Sequence, residues 1–145
     1  MRPSIHQTAM ITAEVWALRA TCARRGVGAV ITSATNQVLG IGYNGPARTL
    51  PHCVDKPCPG ARFPSGEGID FCQAVHAEQN ALVNTSDMTR AHNIYVTTAP
   101  CVSCVKLLLN TPIKHIYYRV TYADAVTSRA LWITDKMRTW TQLHD

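Results

Sequence analysis

The sequence predicts an α/β protein, a three-layer α/β/α sandwich with a mixed sheet of about five strands. Three observations predict it: two short β-branched runs joined by turn residues, a later alternation of strand-like and helix-like segments, and 46% apolar residues in a chain of 145. A chain of this length typically forms one domain and buries about two thirds of its unfolded surface. We therefore interpret residues 1–145 as a single domain.

The first half of the chain predicts a helix, a hairpin and a long loop. Residues 5–20 carry apolar side chains near helical spacing. VGAVIT (27–32) and VLGIGY (38–43) are strand-like, and the turn residues SATNQ between them favour an antiparallel hairpin. Residues 44–70 are rich in Pro, Gly and Cys without any period. Loops this long in a domain are usually functional or tied down.

The second half alternates helix-like and strand-like segments. FCQAVHAEQNALVN (71–84) predicts a helix, NIYVTT (93–98) a strand and CVSCVKLLLN (101–110) a second helix. HIYYRV (115–120) predicts another strand, and residues from about 124 to 133 a further helix. Strands that alternate with helices favour a parallel βαβ unit, and joining it to the hairpin gives a mixed sheet.

Charge and cysteine content limit the classes of function. The net charge is +5, but the basic residues are scattered and Arg24–Arg25 is their tightest group. This pattern is typical of a solvated surface, and a small phosphorylated substrate needs only a few cations. No apolar run approaches the roughly 20 residues that span a bilayer, and the N-terminus lacks the apolar core of a signal peptide. We expect a cytoplasmic protein (host cytoplasm if viral), where six cysteines indicate metal binding or catalysis.

A cysteine pair and one histidine have the spacing of a metal site. Cys101 and Cys104 follow Pro100, and at the start of a helix their spacing puts both sulfurs on one face. A helix N-terminus also makes thiols easier to ionise. With His76 as the third ligand, one tetrahedral position stays open, which distinguishes catalytic from structural zinc.

Glu78 completes the pattern, two residues after His76. A carboxylate there can take a proton from activated water and return it to a leaving group. An isolated HxE is usually a helix surface, and an isolated CxxC is a redox pair or half of a structural zinc site. Together, HAE (76–78) and PCVSC (100–104) match the signature of zinc nucleobase deaminases. The stretch resembles the cytidine-deaminase-like superfamily.

Further segments narrow the resemblance to the deoxycytidylate (dCMP) deaminase family, in the compact form of its phage and bacterial members. They are CARRGVGAVI, GIGYNGPARTLPHC, AVHAEQNAL, IYVTTAPCVSC and the tyrosine after the next strand, spanning about Cys22 to Tyr122. The resemblance implies hydrolysis of dCMP at C4 to dUMP and ammonia, which supplies thymidylate synthesis. It implies that Glu78 carries protons to N3 and to the departing ammonia.

The resemblance also assigns binding residues. It implies that Asn44 binds the deoxyribose, and that Arg24 or Arg25 and Tyr122 bind the 5′-phosphate, to which an Arg fork is suited. It implies a hexamer activated by dCTP and inhibited by dTTP, each with Mg²⁺. The effector site would lie near Gly28, Tyr43 and Gly45.

The remaining cysteines predict a second, structural zinc. Some phage relatives hold such an ion with cysteines that match Cys22 and Cys53, and a four-ligand site would order the long loop. The predicted ligands are Cys22, Cys53, Cys58 and Cys72, with His52 as a substitute for any one. The alternative is that all four are free cysteines.

Other functions stay open at this point. One is a dCTP-accepting nucleotide deaminase, and another is a tRNA or single-stranded-DNA cytosine or adenine deaminase of the same superfamily. A nucleic-acid substrate is disfavoured because the aromatic residues form no obvious stacking platform. A non-catalytic zinc module has no use for Glu78.

Overall fold

The fold is a five-stranded mixed sheet with helices on both faces, described for residues 1–64, 67–68, 71–122 and 124–145 by a computed structural model. The helices are α1 (Ile5–Ala17), α2 (Ala77–Val83), α3 (Val102–Leu109) and α4 (Ala125–Trp132). The strands are β1 (Gly28–Ser33), β2 (Val38–Tyr43), β3 (Gly45–Pro46), β4 (Ala74–Val75), β5 (Ala91–Thr98), β6 (His115–Val120) and β7 (Thr139–Gln142). Over the described ranges, every helix is too short or too polar to cross a membrane.

The main sheet has the strand order β2-β1-β5-β6-β7. β1 pairs antiparallel with β2 and with β5, whereas β6 pairs parallel with β5 and with β7. The predicted hairpin, the parallel βαβ unit and the mixed sheet are therefore confirmed. The sequence did not locate β7, because TWTQ is short and carries little of the apolar alternation that marks a strand.

Successive side chains of each strand point to opposite faces of the sheet, so a hydrophobic core forms on each face. On one face, Val30 and Tyr95 pack with Met10 and Ala13 of α1. On the other face, the core includes Ile94 and its neighbours from the sheet together with residues of α2, α3 and α4, among them Ala81, Val105 and Trp132. This arrangement confirms the three-layer α/β/α sandwich.

The predicted helix over 71–84 is wrong in its first half. Ala74 and Val75 form β4, which pairs antiparallel with Pro46 and Gly45, and this ladder requires extended backbone. The helix begins only after His76, which is its N-cap. Cys101 is likewise the N-cap of α3 rather than a residue of its first turn. At the other end of the chain, α1 stops at Ala17, short of the predicted residue 20.

The β3–β4 ladder also closes the long loop. It joins Gly45 to Val75, so the two ends of a segment of about thirty residues meet beside the start of α2. The loop is not wholly irregular, since Pro59–Arg62 forms a short 3₁₀ helix. Residues 65–66 and 69–70 of the predicted loop lie outside the described residues.

Gly42 lets α2 lie directly on β2, and its replacement by alanine is expected to destabilise the fold. A β-carbon on Gly42 would overlap the carbonyl oxygen of Ala77 and the amide nitrogen of Ala81, which cannot rotate away. Overpacking of this kind costs about 1–3 kcal/mol, so denaturant unfolding should show a lower free energy for Gly42→Ala. Gly26→Ala is the matched control, because its added carbon would lie 3.2 Å from the nearest oxygen. Equal losses in the two variants would contradict this reading of Gly42.

Candidate active site

Three metal-ligand side chains converge where α2 and α3 begin. His76 Nδ1 lies 3.2 Å from Cys104 Sγ and 3.5 Å from Cys101 Sγ. Within the described part of the chain, these residues form the only group of three or more whose ligand atoms all lie within 4.8 Å of one another. The ladder ending at Val75 and the strand ending at Thr98 place the two helix starts side by side. The structure thus brings together the predicted ligand set.

The protonation of these groups shows that the site suits a divalent cation. Hydrogen bonding from Cys104 and His76 lowers the pKa of Cys101 to about 4, so one thiolate forms readily. The neighbouring Cys101 sulfur and burial raise the pKa of Cys104 strongly, because a second thiolate would lie against the first. Zn²⁺ binds deprotonated sulfur and neutral imidazole, and its charge would offset the repulsion between two thiolates. The donor set therefore fits zinc.

Glu78 lies beside this group without belonging to it. It is in the first turn of α2 and only 5% exposed. Burial raises the pKa of its carboxyl group above the ordinary value, against an opposing effect of His76. A buried carboxyl with a raised pKa can hold and release a proton closer to neutral pH, as an acid–base catalyst must.

A cavity of about 410 Å³ opens onto these groups. Glu78, His76 and Cys101 line it, while Cys104 is fully buried behind them. All the residues that the resemblance assigned to the substrate also line the cavity, namely Asn44, Arg24, Arg25 and Tyr122. Residues distant in sequence therefore form one concave site of the size that small ligands occupy.

Asn44 fixes the segment that precedes β1. Its side-chain oxygen accepts from the Val27 amide at 2.7 Å, and its side-chain amide donates to the Arg25 carbonyl at 2.7 Å. Its backbone bonds the same segment, donating to the Val27 carbonyl at 3.2 Å and accepting from the Thr21 amide at 3.0 Å. An Asn side chain has further donor and acceptor capacity, so a sugar hydroxyl could still bind it.

The two adjacent arginines differ in their surroundings. Arg24 is half-buried and donates from Nη1 to the carbonyl oxygens of Phe63, Pro64 and Glu67 at 3.3, 2.9 and 2.6 Å. Arg25 is exposed at the cavity. To the described residues, the Arg25 side chain makes no hydrogen bond or ion pair.

Tyr122 braces the turn that leads into α3. Its hydroxyl donates to the Pro100 carbonyl at 3.2 Å and lies 3.2 Å from the Ser128 hydroxyl of α4. Burial raises the pKa of Tyr122 to about 12, so the phenol stays protonated near neutral pH. Ser128 was not predicted as part of the site, because one serine in an amphipathic helix carries no distinct signal.

Gln79 was also missed, although its spacing offered a signal. Its side-chain oxygen accepts from the His76 amide at 2.8 Å, which fixes the start of α2. Glutamine three residues after an N-cap is the spacing of a capping box.

The four other cysteines are not gathered into a comparable group. The Cys58 amide donates to Cys53 Sγ at 3.4 Å, and both residues are buried. Cys22 and Cys72 instead line the cavity. His52 is exposed, with its Nδ1 3.8 Å from the Asp55 carboxylate. The second zinc stays a prediction.

The predicted effector residues lie around α1 and the start of the long loop. Gly28 lies so near α1 that an added β-carbon would overlap the backbone of Ala13 and Ala17, and one added to Gly45 would overlap the Thr21 side chain. The Tyr43 ring stacks on Trp16 with centroids 6.2 Å apart. These packing arrangements give the three residues a structural role, and their role in effector binding stays a prediction.

The fold and the His/Cys/Cys group with its free glutamate define the zinc-dependent deaminase class of protein. Residues 3–120 match the family described as the cytidine and deoxycytidylate deaminase zinc-binding region. The chain belongs to this family.

Similar proteins from several organisms are deoxycytidylate deaminases. Deoxycytidylate deaminase of Mycobacterium phage D29 is 36% identical over 125 residues, which cover 81% of this chain and 95% of the phage protein. That of Schizosaccharomyces pombe is 34% identical over 83% of this chain, but this chain spans only 38% of the yeast protein. The solved dCMP deaminase of cyanophage S-TIM5 superposes with a TM-score of 0.70 at 24% identity, covering 99% of this chain and 100% of the phage chain. At that identity the likeness shows the fold alone.

Proposed function

We propose that the protein is a hydrolase that deaminates dCMP to dUMP and ammonia and so supplies dUMP for thymidylate synthesis. The observation that carries the proposal is Glu78, a buried carboxyl beside the His76, Cys101 and Cys104 ligand atoms in a cavity that also contains two arginines. The phage D29 relative, which this chain matches over 95% of its length, is a deoxycytidylate deaminase. All six cysteines lie in the described residues and none is in a disulfide, which fits the reducing cytoplasm in which such an enzyme would work.

His76, Cys101 and Cys104 would hold the catalytic zinc. Bound there, the metal supplies the Lewis acid that makes water nucleophilic near neutral pH. Glu78 takes a proton from the attacking water and gives it to N3 of cytosine as the new C–O bond forms at C4. Glu78 then moves the second proton to the exocyclic nitrogen, which leaves as ammonia while the C4 carbonyl forms. Atoms and charge balance with water as the only co-substrate.

Asn44 and Arg25 would orient the nucleotide. Counting contacts to the described residues, Asn44 keeps hydrogen-bonding capacity for the deoxyribose, and the Arg25 guanidinium has no partner and can meet the 5′-phosphate. The Tyr122 hydroxyl is engaged with Pro100 and Ser128, so it contributes more through holding the turn before Cys101 than through phosphate binding.

Ammonia release from four substrates tests the proposal: dCMP, dCTP, deoxycytidine and a cytosine-containing oligonucleotide. We expect the highest kcat/KM for dCMP. A preference for dCTP would indicate a nucleoside triphosphate deaminase. A preference for the oligonucleotide would overturn the assignment to a free nucleotide.

We further propose a hexamer that dCTP activates and dTTP inhibits, each bound with Mg²⁺ near Gly28, Tyr43 and Gly45. This proposal rests on the resemblance in GVGAV and GYNG. Initial rates against dCMP concentration should be sigmoidal, should become hyperbolic with dCTP, and should fall with dTTP. Curves that neither nucleotide changes would contradict it, and sedimentation would report the assembly.

The second zinc is proposed at Cys22, Cys53, Cys58 and Cys72, with His52 as the substitute ligand. Its support is the closeness of Cys53 to Cys58 and the need to order a long loop. Metal analysis should give two zinc ions per chain, and one ion would contradict the proposal.

A further inference from the structure

Arg24 contacts the part of the long loop that borders the cavity. We call residues 58–64 and 67–68 the strap. Arg24 Nη1 lies within hydrogen-bond distance of the strap carbonyl oxygens of Phe63, Pro64 and Glu67, at 3.3, 2.9 and 2.6 Å. Nη1 carries two hydrogens, which the three carbonyl oxygens share, and every hydrogen bond that the Arg24 side chain makes to the described residues goes to the strap.

The strap in turn supports one wall of the cavity. Its 3₁₀ helix approaches Cys72 so closely that a β-carbon on Gly60 would lie 2.6 Å from the Cys72 α-carbon. The Phe63 ring stacks on Phe71 with centroids 5.6 Å apart. Cys72 and Ala74, which follow, line the cavity ahead of His76. The position of the strap therefore affects the wall that leads into the metal site.

Two anchors hold the base of Arg24. Asn44 bonds the Arg25 carbonyl and the Val27 amide, each at 2.7 Å, so the backbone after Arg24 is fixed. The Thr21 carbonyl accepts from the Val54 amide at 3.0 Å, which joins the same segment to the first half of the loop. The hydrogen bonds from the Arg24 guanidinium to the strap are charge-assisted, and such bonds are stronger than neutral ones.

We infer that Arg24 is a positioning residue that fastens the strap to the cavity wall, and that Arg25 is the arginine left to meet the substrate phosphate. The part concerning phosphate rests on the proposed function. The part concerning the strap does not, because its hydrogen bonds exist whatever the substrate is.

Hydrogen exchange and substrate comparison test the inference together. In Arg24→Ala, exchange at the Ala61 and Phe63 amides, which bond the Cys58 and Gly60 carbonyls, should accelerate about 10- to 100-fold. Arg25→Ala is the matched control and should leave this exchange unchanged. Unchanged exchange in zinc-loaded Arg24→Ala overturns the inference, whatever happens to activity.

The kinetic readout compares dCMP with deoxycytidine, which lacks the phosphate. Arg24→Ala should lower kcat/KM for both substrates by a similar factor, whereas Arg25→Ala should lower it for dCMP alone. If Arg24→Ala weakens only dCMP, Arg24 is a phosphate ligand and the inference fails. If the wild type deaminates neither substrate, the proposed function fails, and the exchange measurement still decides the role of Arg24. Should Arg24→Ala not fold, Arg24→Lys should show smaller changes in the same directions.

Discussion

Glu78→Gln is expected to lower kcat for dCMP by about 10²–10⁴-fold, the usual contribution of a positioned acid–base group. Glutamine has nearly the same shape but cannot take a proton from water or return one to the leaving nitrogen. The zinc content should stay that of the wild type, because Glu78 is not among the three clustered ligand residues. Steady-state kinetics with parallel metal analysis measures both quantities.

The stability of Glu78→Gln shows whether the variant loses activity because it lacks the acid–base group or because it unfolds. Since burial raises the folded-state pKa of Glu78, its contribution to stability is complete below its ordinary pKa and declines as the pH rises through the folded value. Glutamine does not ionise, so metal-free Glu78→Gln should be at least as stable as the metal-free wild type at pH 7. Thermal unfolding checks this expectation.

Glu14→Gln is the matched control for the substitution. Glu14 lies on α1, pairs with Arg119 at 2.8 Å and is not among the cavity-lining residues. Its replacement should leave kcat unchanged. A Glu78→Gln enzyme with near wild-type kcat would mean that the proton is carried by another group.

Cys104→Ser is expected to abolish activity by removing the metal. Cys104 is fully buried, and its sulfur lies 3.2 Å from His76 Nδ1, so nothing outside the group can replace it readily. A serine hydroxyl does not ionise as a thiol does, and a lost direct ligand should weaken zinc binding by more than the 10–100-fold typical of supporting residues. Metal analysis after dialysis against a chelator, together with ammonia release, should show both losses.

Two further variants show which zinc is lost. Lys106→Gln, an exposed change on the same helix, should keep both metal and activity. Cys58→Ser should remove the proposed structural ion while leaving zinc at the active site. Wild-type activity and zinc content in Cys104→Ser would rule out the His76, Cys101 and Cys104 group as the catalytic metal site.

The sequence by itself determined the features that depend on neighbours along the chain. The strands over 38–43 and 115–120 follow from short apolar and β-branched runs, and their bounds agree with the structure. The three-residue spacing of Cys101 and Cys104 indicated a shared face whether Cys101 was the N-cap or the first helical residue. These signals are local, because they depend on the geometry of one element.

Only the tertiary structure decided how distant side chains are used. β4 replaces the first turns of a predicted helix because Gly45 and Pro46 provide a pairing partner about thirty residues away. The sequence left Arg24 and Arg25 equivalent, yet one bonds carbonyls some forty residues away while the other is exposed. A side chain's hydrogen-bond partners depend on which segments pack against it, and sequence spacing does not encode that contact. The sequence therefore determined the metal-site chemistry, while tertiary packing decided the walls of the cavity around it.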